Sequence, residues 1–549
     1  MNLSLRTKPN DQETGRGSRL GTYAQRGGEK LIDTPTEFSP PTTRQTAHRP
    51  LLSDSPSTLF YVGCALVLGI SLFAAAYRIG VPSMWMDEAS SWHNVRGGWG
   101  RLFSYCVGGD DSSGLAYAHI LKVWTAVVGD RPEARMRWLS IAITVAFVAL
   151  MLKIGHALWG RTAGLCVGLL AALHPQVVFW SRQVRAYSLV FLATALCLWG
   201  LIVYLRSSPK KNARWLCVGA CLLVLSHLFG FFFLCGMGLF LVALGWSAQR
   251  EPRSLKRAIM AAAPLKWAAV LGLGWAVIMR SRIQDSLTDF WIGGTVGQNA
   301  VAMFGSVLPV FWVSGALLLA GVAMLWANRA GRTERTVLLG VAALTLPVLI
   351  GPFVATLMAT GGHNFIHPRY VVPTIPVLLL PAGYLFSRVP RGFGVIAALL
   401  VAAGIAQESG TLRLYRSQAP WGDDARCAAA FLNHQVGPQD RVLLVPWCER
   451  ITFEYYGVDT AMMQGTPRDN VQAWLDERQA RRPAEPQANA GCWWLVLIHG
   501  EPNREYDIPT TGTREWRFGK LRILRLNDPS DNETRLNAHP LSLLPYPSD

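Results

Sequence analysis

The sequence predicts a mostly α-helical, polytopic membrane protein of about eleven transmembrane helices, followed by a small extracytoplasmic α/β domain. Of its 549 residues, 51% are hydrophobic and only 16% are charged, a more apolar balance than soluble enzymes of this length have. The apolar residues are concentrated in runs of about 17 to 25 residues, the length that crosses a bilayer core. Basic residues cluster between these runs, so we assign the net charge of +17 to membrane topology and exclude nucleic acid as a partner.

The candidate spans follow one another along the transmembrane domain, residues 58–408. They are residues 59–80, 136–158, 162–180, 186–205, 214–229, 231–248, 262–280, 300–327, 336–358, 370–387 and 391–408. The gaps between them alternate between cation-rich and cation-poor, and the cation-rich gaps are assigned to the cytoplasm. With an odd number of spans, a cytoplasmic N-terminus places the C-terminus outside. We therefore expect an integral protein of the inner membrane, with its C-terminal domain in the periplasm.

Residues 1–57 are predicted to be a disordered cytoplasmic tail. They are rich in Thr, Pro, Gly and Arg and show neither helical nor strand periodicity. No cleavable signal peptide is expected, because the apolar run that follows is too long for one.

Residues 115–128 are an ambiguous apolar stretch. They are too few to span a bilayer, and they include His119 and Lys122. If they crossed, every later basic gap would face outward. We therefore predict an amphipathic helix on the outer surface, within one long outer loop over residues 81–134.

Residues 409–549 change character and predict the small α/β domain. Three short β-like runs, residues 441–446, 492–498 and 520–526, follow a helical stretch at 423–435. No cysteine pair has CxxC spacing, which argues against a zinc site. A disulfide between Cys427 and Cys448 is left open.

An acidic pair, Asp87 and Glu88, comes directly after the first apolar run. Carboxylates at a membrane–water boundary are costly unless they are solvated, paired or used. One interpretation is a general base that takes a proton from an attacking hydroxyl or amine. The other is a solvated loop start or a helix cap. Position alone does not decide between them.

Arginines lie at the outer ends of two later spans. Arg137 opens the second span, where it either anchors the helix at the interface or pairs with the acids or a lipid phosphate. Arg182 and Arg185, in the run that ends at Tyr187, break the charge alternation. Guanidinium groups bind phosphate bidentately, so this run is a candidate site for a polyprenyl phosphate leaving group or for ordinary anionic lipid.

A further polar cluster, at another outer edge, contains His367, Arg369 and Tyr370. With His363 and the acids, His367 could hold a divalent metal, and a cation cluster for phosphate is an equal alternative. His227, at the end of a span, is most simply a hydrogen-bonded histidine. No cofactor is assigned.

The ordered set of these patterns resembles the GT-C glycosyltransferases of the protein O-mannosyltransferase and aminoarabinose-transferase type (glycosyltransferase family 39). The resemblance covers residues 59 to about 460. It is carried by Trp85-Met-Asp87-Glu88, Arg137-Trp-Leu-Ser140, Leu173-His-Pro175, Ser181-Arg182, Arg185-Ala-Tyr187, Ser226-His227 and Arg369-Tyr370. The family's Pro-Pro pair is replaced by Asp110-Asp-Ser-Ser-Gly-Leu-Ala-Tyr117, which leaves the acceptor open.

The resemblance implies inverting transfer of a sugar from a polyprenyl-phosphate donor to a lipid, glycan or protein acceptor on the periplasmic face. Asp87 matches the catalytic acidic position, and we predict Asp87 and Glu88 as the catalytic residues. The predicted ligands of the donor phosphate are Arg137, Arg182, Arg185, Tyr187 and Arg369. The predicted supporting residues are His227, His367 and Tyr370. The alternatives are a transporter or flippase of a polyprenyl-linked saccharide, and a structural membrane protein with a periplasmic interaction domain.

Overall fold

The structure is a computed structural model. It describes residues 58–108, 114–206, 209–247, 262–278, 295–307, 332–359, 364–390, 393–408, 415, 424–465, 471–480, 492–498 and 513–526. The predicted tail at 1–57 lies outside the described residues, as do His363, Asp110 and Asp111.

The part of the chain up to residue 408 is helical. Its helices are α1 Thr58–Ala76, α2 Met86–Arg96, α3 Trp99–Gly108, α4 Leu115–Val128, α5 Glu133–Trp159, α6 Arg161–Leu173, α7 Pro175–Ser181, α8 Tyr187–Arg206, α9 Pro209–Ser226, α10 Gly230–Ser247, α11 Lys266–Ile278, α12 Val296–Val307, α13 Arg332–Met358, α14 Ile375–Ser387 and α15 Phe393–Glu408. A 3₁₀ helix, Pro368–Thr374, leads into α14.

Ten of the predicted spans overlap a helix or a pair of consecutive helices, and the eighth is described only as far as residue 307. Five helices in the described residues are long and apolar enough to cross a bilayer, and the bent pair of α6 and α7, at 57°, makes a sixth. Four of the other five spans correspond to shorter apolar helices, so the count of eleven stays a prediction. Residues 115–128 form a helix of 14 residues, as expected for a segment that does not cross.

Small residues let the central helices pack closely. A Cβ atom at Gly219 of α9 would lie 2.6 Å from the backbone nitrogen of Cys197 in α8. A Cβ atom at Gly164 of α6 would lie 2.9 Å from the carbonyl oxygen of Leu152 in α5. Both contacts are too short for a side chain, so glycine allows the two backbones to approach, as in other membrane helix pairs.

The C-terminal domain has a five-stranded sheet between two helices. Its elements are α16 Ala425–Gln435, β1 Arg441–Val445, α17 Arg450–Tyr455, β2 Met463–Gly465, α18 Val471–Ala480, β3 Trp493–Leu497, β4 Thr513–Phe518 and β5 Leu521–Leu526. The strand order is β2-β1-β3-β5-β4, in which β2, β1 and β3 are parallel and β4 and β5 form an antiparallel hairpin on β3. α16 packs on one face of the sheet and α18 on the other.

The predicted outer gaps meet at one end of the helical domain. The turn after α1, the start of α5 and the junction of α7 with α8 are joined by hydrogen bonds of Arg137 and Arg182. Arg206, from a predicted cytoplasmic gap, instead donates to the carbonyl oxygen of Ala157 near the far end of α5, at 2.7 Å. This gap therefore lies at the other end of α5 from the turn that Arg137 binds.

Candidate functional site

Glu88 and Arg137 form a buried ion pair near the starts of α2 and α5. Nη2 of Arg137 lies 2.7 Å from Oε2 of Glu88, and Nε lies 2.9 Å from Oε1. The two side chains are 1% and 0% exposed. Oε1 also accepts a hydrogen bond of 2.8 Å from the backbone N–H of Val184. Both charges are therefore neutralised within the protein, in the bidentate geometry that suits a buried pair.

The remaining N–H groups of Arg137 bind the turn between α1 and α2. Nη1 donates to the carbonyl oxygens of Ile79 at 3.0 Å and Pro82 at 2.8 Å, and Nη2 donates to that of Ser83 at 3.2 Å. A guanidinium group has five N–H donors, and all five are used here. Sequence analysis assigned Arg137 to the donor phosphate. Its contacts in the structure instead fix the segment before α2 in place.

Asp87 has contacts of a different kind. Its Oδ2 lies 3.6 Å from Nη2 of Arg185 and 3.6 Å from Nη1 of Arg369, which is beyond hydrogen-bond reach. Although Oδ2 is buried, it has no hydrogen-bond partner among the described residues. Arg185 is anchored by a hydrogen bond of 3.0 Å from Nη1 to the backbone oxygen of Asp87. The carboxylate is thus held by charge, and Oδ2 can still accept a hydrogen bond.

Three separate segments bring these charges together. Asp87 lies in the first turn of α2, Arg185 in the turn between α7 and α8, and Arg369 in the 3₁₀ helix before α14. The sequence predicted this meeting, because each segment adjoins the outer end of a predicted span. Two guanidinium groups against one carboxylate leave the centre with a positive charge, since Glu88 and Arg137 cancel each other.

A cluster of rings lies beside the two arginines. The ring centroids of Tyr187 and His227 are 5.5 Å apart, those of His227 and Tyr370 are 5.9 Å apart, and those of His367 and Tyr370 are 6.0 Å apart. The guanidinium carbon of Arg369 lies 5.2 Å from the ring centroid of Tyr370. Four residues singled out from the sequence therefore join the centre through aromatic contacts.

His227 and His367 are neutral donors. Nδ1 of His227 accepts a hydrogen bond of 3.1 Å from the backbone N–H of Phe229, and Nδ1 of His367 accepts one of 3.3 Å from that of Arg369. The proton of each neutral ring is therefore on Nε2. Burial and the charge of Arg369 together lower the pKa of His367 to about 3. At neutral pH this ring can offer one N–H group without adding charge.

Arg182 binds the end of α1 instead of the centre. Nη1 donates to the carbonyl oxygens of Ala75 at 3.0 Å and Tyr77 at 2.7 Å, and the guanidinium carbon lies 4.9 Å from the ring centroid of Tyr415. The last carbonyl groups of a helix have no N–H partner within the helix, so a cation there can donate the hydrogen bonds that they lack. Sequence analysis predicted that Arg182 binds the donor phosphate. In the structure its N–H groups instead donate to backbone carbonyl groups.

No three His, Cys, Asp or Glu side chains meet closely enough to hold a metal ion within the described ranges. His363, which sequence analysis considered together with His367, is outside those ranges. A divalent metal therefore has no assigned ligands. Cys427 and Cys448 are not joined in the structure, so the disulfide that sequence analysis left open is not formed there.

Sequence reasoning missed two aromatic residues of the cluster. The ring centroid of Trp180 lies 3.9 Å from that of Tyr187, and Phe229 stacks on Tyr370 with centroids 4.2 Å apart and 10° between the planes. The chain has 21 Trp and 22 Phe, so neither residue type is distinctive by itself.

Comparison with known proteins identifies the fold. No family model matches the sequence, and no curated protein matches it. Among solved structures, ArnT from Cupriavidus metallidurans in the apo state aligns with a TM-score of 0.51 at 11% identity, over 85% of this chain and 97% of that chain. The same protein bound to undecaprenyl phosphate gives a TM-score of 0.47 at 13% identity, over 85% and 97% of the two chains. The apo oligosaccharyltransferase of Archaeoglobus fulgidus gives 0.45 at 12% identity, over 74% and 64%.

The match to apo ArnT shows that this chain shares the overall fold of that protein. It confirms the fold that the ordered sequence patterns predicted, with a helical membrane domain and a small domain that contains a sheet. At 11% identity the likeness is one of fold, so the chemistry has to be argued from the site itself.

Proposed function

We propose that this protein is an inverting glycosyltransferase, which moves a sugar from a polyprenyl-phosphate donor to an acceptor hydroxyl or amine. The observation that carries the proposal is the environment of Asp87. Its buried Oδ2 accepts no hydrogen bond from the described residues and lies 3.6 Å from each of two guanidinium groups. A base and a cationic site for a leaving group are thus side by side, which is what one displacement step needs.

In the proposed reaction, Asp87 accepts the proton of the acceptor hydroxyl or amine. The acceptor atom forms a bond to the anomeric carbon as the bond from that carbon to the phosphate oxygen breaks. The electron pair of the broken bond stays on the phosphate, and Arg185 and Arg369 stabilise the added negative charge. Attack and departure on opposite sides of the carbon invert its configuration.

The neighbouring groups have supporting roles in this proposal. The Nε2–H groups of His227 and His367 can donate to phosphate or sugar oxygens without adding charge, since Nδ1 of each ring accepts a backbone hydrogen bond and carries no proton. Tyr187 and Tyr370 supply the aromatic wall beside Arg369. Glu88 and Arg137 act indirectly, because their contacts fix the position of the backbone next to Asp87.

The donor assay tests the proposal directly. The protein in lipid nanodiscs is incubated with a panel of polyprenyl-phosphate sugars and a mixture of lipid, glycan and peptide acceptors, with and without a chelator. We expect release of polyprenyl phosphate from at least one donor, and loss of that release in Asp87→Asn. If no donor is turned over, or if Asp87→Asn turns over as fast as the wild type, the proposal is wrong.

The same variant separates the enzyme from a flippase. A flippase makes and breaks no glycosidic bond, so it should move lipid-linked saccharide across the bilayer even with Asn at position 87. Flipping is measured with a fluorescent polyprenyl-linked sugar and a membrane-impermeant quencher. Transport by both the wild type and Asp87→Asn, without turnover, would support the flippase.

We also propose that the site faces the periplasm, as the charge alternation predicts. Cys448 in the C-terminal domain is exposed and is not in a disulfide, so its thiol can report the side on which that domain lies. A membrane-impermeant maleimide should label it in intact spheroplasts, and Cys448→Ser should remove the label. Labelling only after membrane lysis would place the domain in the cytoplasm.

A further inference from the structure

We propose that the C-terminal domain is part of the active-site scaffold: Tyr456 and Arg426, meeting on Glu133, hold the segment that precedes Asp87. This segment, residues 79–84, is called the lead-in turn here. The catalytic half of the inference rests on the proposed function, and the structural half does not.

The hydroxyl group of Tyr456 joins the lead-in turn to the membrane domain. It accepts a hydrogen bond of 2.6 Å from the backbone N–H of Met84 and donates one of 2.6 Å to Oε1 of Glu133. Burial and the charge of Glu133 raise the pKa of Tyr456 well above its usual value, so the hydroxyl keeps its proton. One side chain of the C-terminal domain therefore connects the turn before α2 with the start of α5.

Arg426 holds the same turn by its carbonyl groups. Nη2 lies 2.8 Å from Oε1 of Glu133 and donates to the backbone oxygens of Gly80 at 3.0 Å and Pro82 at 3.4 Å. The oxygen of Pro82 also accepts from Nη1 of Arg137. The lead-in turn is thus held from both sides, by an arginine of the membrane domain and an arginine of the C-terminal domain.

Contacts of α17 extend this attachment along α2. The rings of Tyr455 and Trp92 meet edge to face with centroids 5.0 Å apart. Glu454 lies 3.1 Å from Nη1 of Arg96 in the last turn of α2. The hydroxyl of Tyr455 donates to the backbone oxygen of Asp130 at 3.3 Å. The C-terminal domain therefore contacts α2 near its end as well as the turn before it.

These contacts affect the position of Asp87, which lies three residues after Met84. If the lead-in turn moves, the carboxylate of Asp87 moves relative to Arg185 and Arg369. A misplaced base slows proton transfer without removing the cations that bind phosphate. Tyr456 and Arg426 are positioning residues, and they should affect turnover more than donor affinity.

The test uses the full-length protein in nanodiscs with the variants Tyr456→Phe and Arg426→Gln. The control is Arg522→Gln, because Arg522 pairs with Glu515 at 2.9 and 3.0 Å on the β4–β5 hairpin and no contact of that pair reaches the lead-in turn. Hydrogen exchange of peptides that cover residues 79–88 should speed up about tenfold in Tyr456→Phe and Arg426→Gln, since each loses hydrogen bonds to the turn. It should stay at the wild-type rate in Arg522→Gln.

The same three variants are then assayed for glycosyl transfer. In Tyr456→Phe and Arg426→Gln, kcat should fall about tenfold while KM for the donor stays within about twofold of the wild type. Unchanged exchange over residues 79–88 in both variants would overturn the inference, and so would raised exchange with unchanged kcat. If the wild type transfers no sugar, the proposed function is wrong, and the exchange experiment still decides whether the C-terminal domain holds the turn.

Discussion

Two adjacent carboxylates, Asp87 and Glu88, lie in contrasting environments. Glu88 makes a bidentate pair with Arg137 and accepts a backbone hydrogen bond, so its side chain is fully buried and fully used. Asp87 lies between Arg185 and Arg369 at ion-pair distance, without a hydrogen bond to Oδ2 from the described residues. The contacts of Glu88 are thus complete within the protein, whereas Oδ2 of Asp87 can still accept a hydrogen bond.

The contrast suggests that Glu88 fixes the geometry of the site, while Asp87 is available for chemistry. A buried ion pair contributes little net stability, but breaking one is costly, so it is suited to fixing geometry. A carboxylate held only by charge can exchange those contacts for a substrate. Substitutions that keep the shape of each side chain should therefore have different effects at the two positions.

The largest expected effect is on turnover in Asp87→Asn. The amide keeps the shape of the side chain but cannot act as a base, so kcat should fall about 10³-fold. The thermal midpoint should fall less than in Glu88→Gln, because Asp87 lies 3.6 Å from each of its two arginines and makes no bidentate pair. Steady-state kinetics and differential scanning calorimetry in nanodiscs measure the two quantities. A variant within tenfold of the wild-type kcat would contradict the assignment of Asp87 as the base.

The next largest effect is on stability in Glu88→Gln. Removing one charge leaves Arg137 buried without its counter-charge, which should lower the free energy of unfolding by about 3 kcal/mol. Chemical unfolding of the purified protein measures the loss. The double variant Glu88→Gln/Arg137→Met should recover part of it, because the uncompensated charge is also removed. If Glu88→Gln were as stable as the wild type, Glu88 would not have the structural role that distinguishes it from Asp87.

A smaller effect should appear in the pH dependence of stability. The folded-state pKa of His367 is lowered to about 3, below the value of 6.5 for an unperturbed histidine. The unfolded state therefore binds more protons below pH 6.5, so stability is present above that pH and is lost as the pH falls. This histidine should cost about 2 kcal/mol between pH 7 and pH 5. His367→Gln should flatten the measured slope, and an unchanged slope would contradict the buried neutral assignment.

The smallest effect is expected for Arg182→Met. Its guanidinium group binds carbonyl groups at the end of α1, so we expect a loss of about 1 kcal/mol in stability and a normal KM for the donor. Thermal unfolding and donor titration separate these quantities. A raised KM with unchanged stability would instead group Arg182 with Arg185 at the phosphate.

The helical framework and the meeting of the central residues could be predicted from the sequence. Hydrophobic length located each helix, and charge alternation placed Asp87, Arg185 and Arg369 at the same end of the bundle. The division of labour between Asp87 and Glu88 could not be predicted, because it depends on which carboxylate reaches Arg137 across the turn. For the same reason, sequence could not tell that Arg182 binds backbone while Arg185 faces the acid.

Prediction was weaker in the C-terminal domain. The helix at 425–435 and the strands β1, β3 and β5 were found from their apolar runs, whereas β2 has only three residues and β4 is largely polar. The attachment of Tyr456 to Met84 spans 372 positions, and no local pattern encodes so distant a contact. Such contacts arise from tertiary packing, which a single sequence does not display.

The long separation between Met84 and Tyr456 has a consequence for biogenesis. A ribosome that has made Met84 must still add 372 residues before Tyr456 is in the chain. By our inference, the nascent chain carries its acidic pair without the contacts that position it until the C-terminal domain has been made and has folded. Activity would then begin only after that domain has folded, and a product truncated before Arg426 would be inserted but inactive.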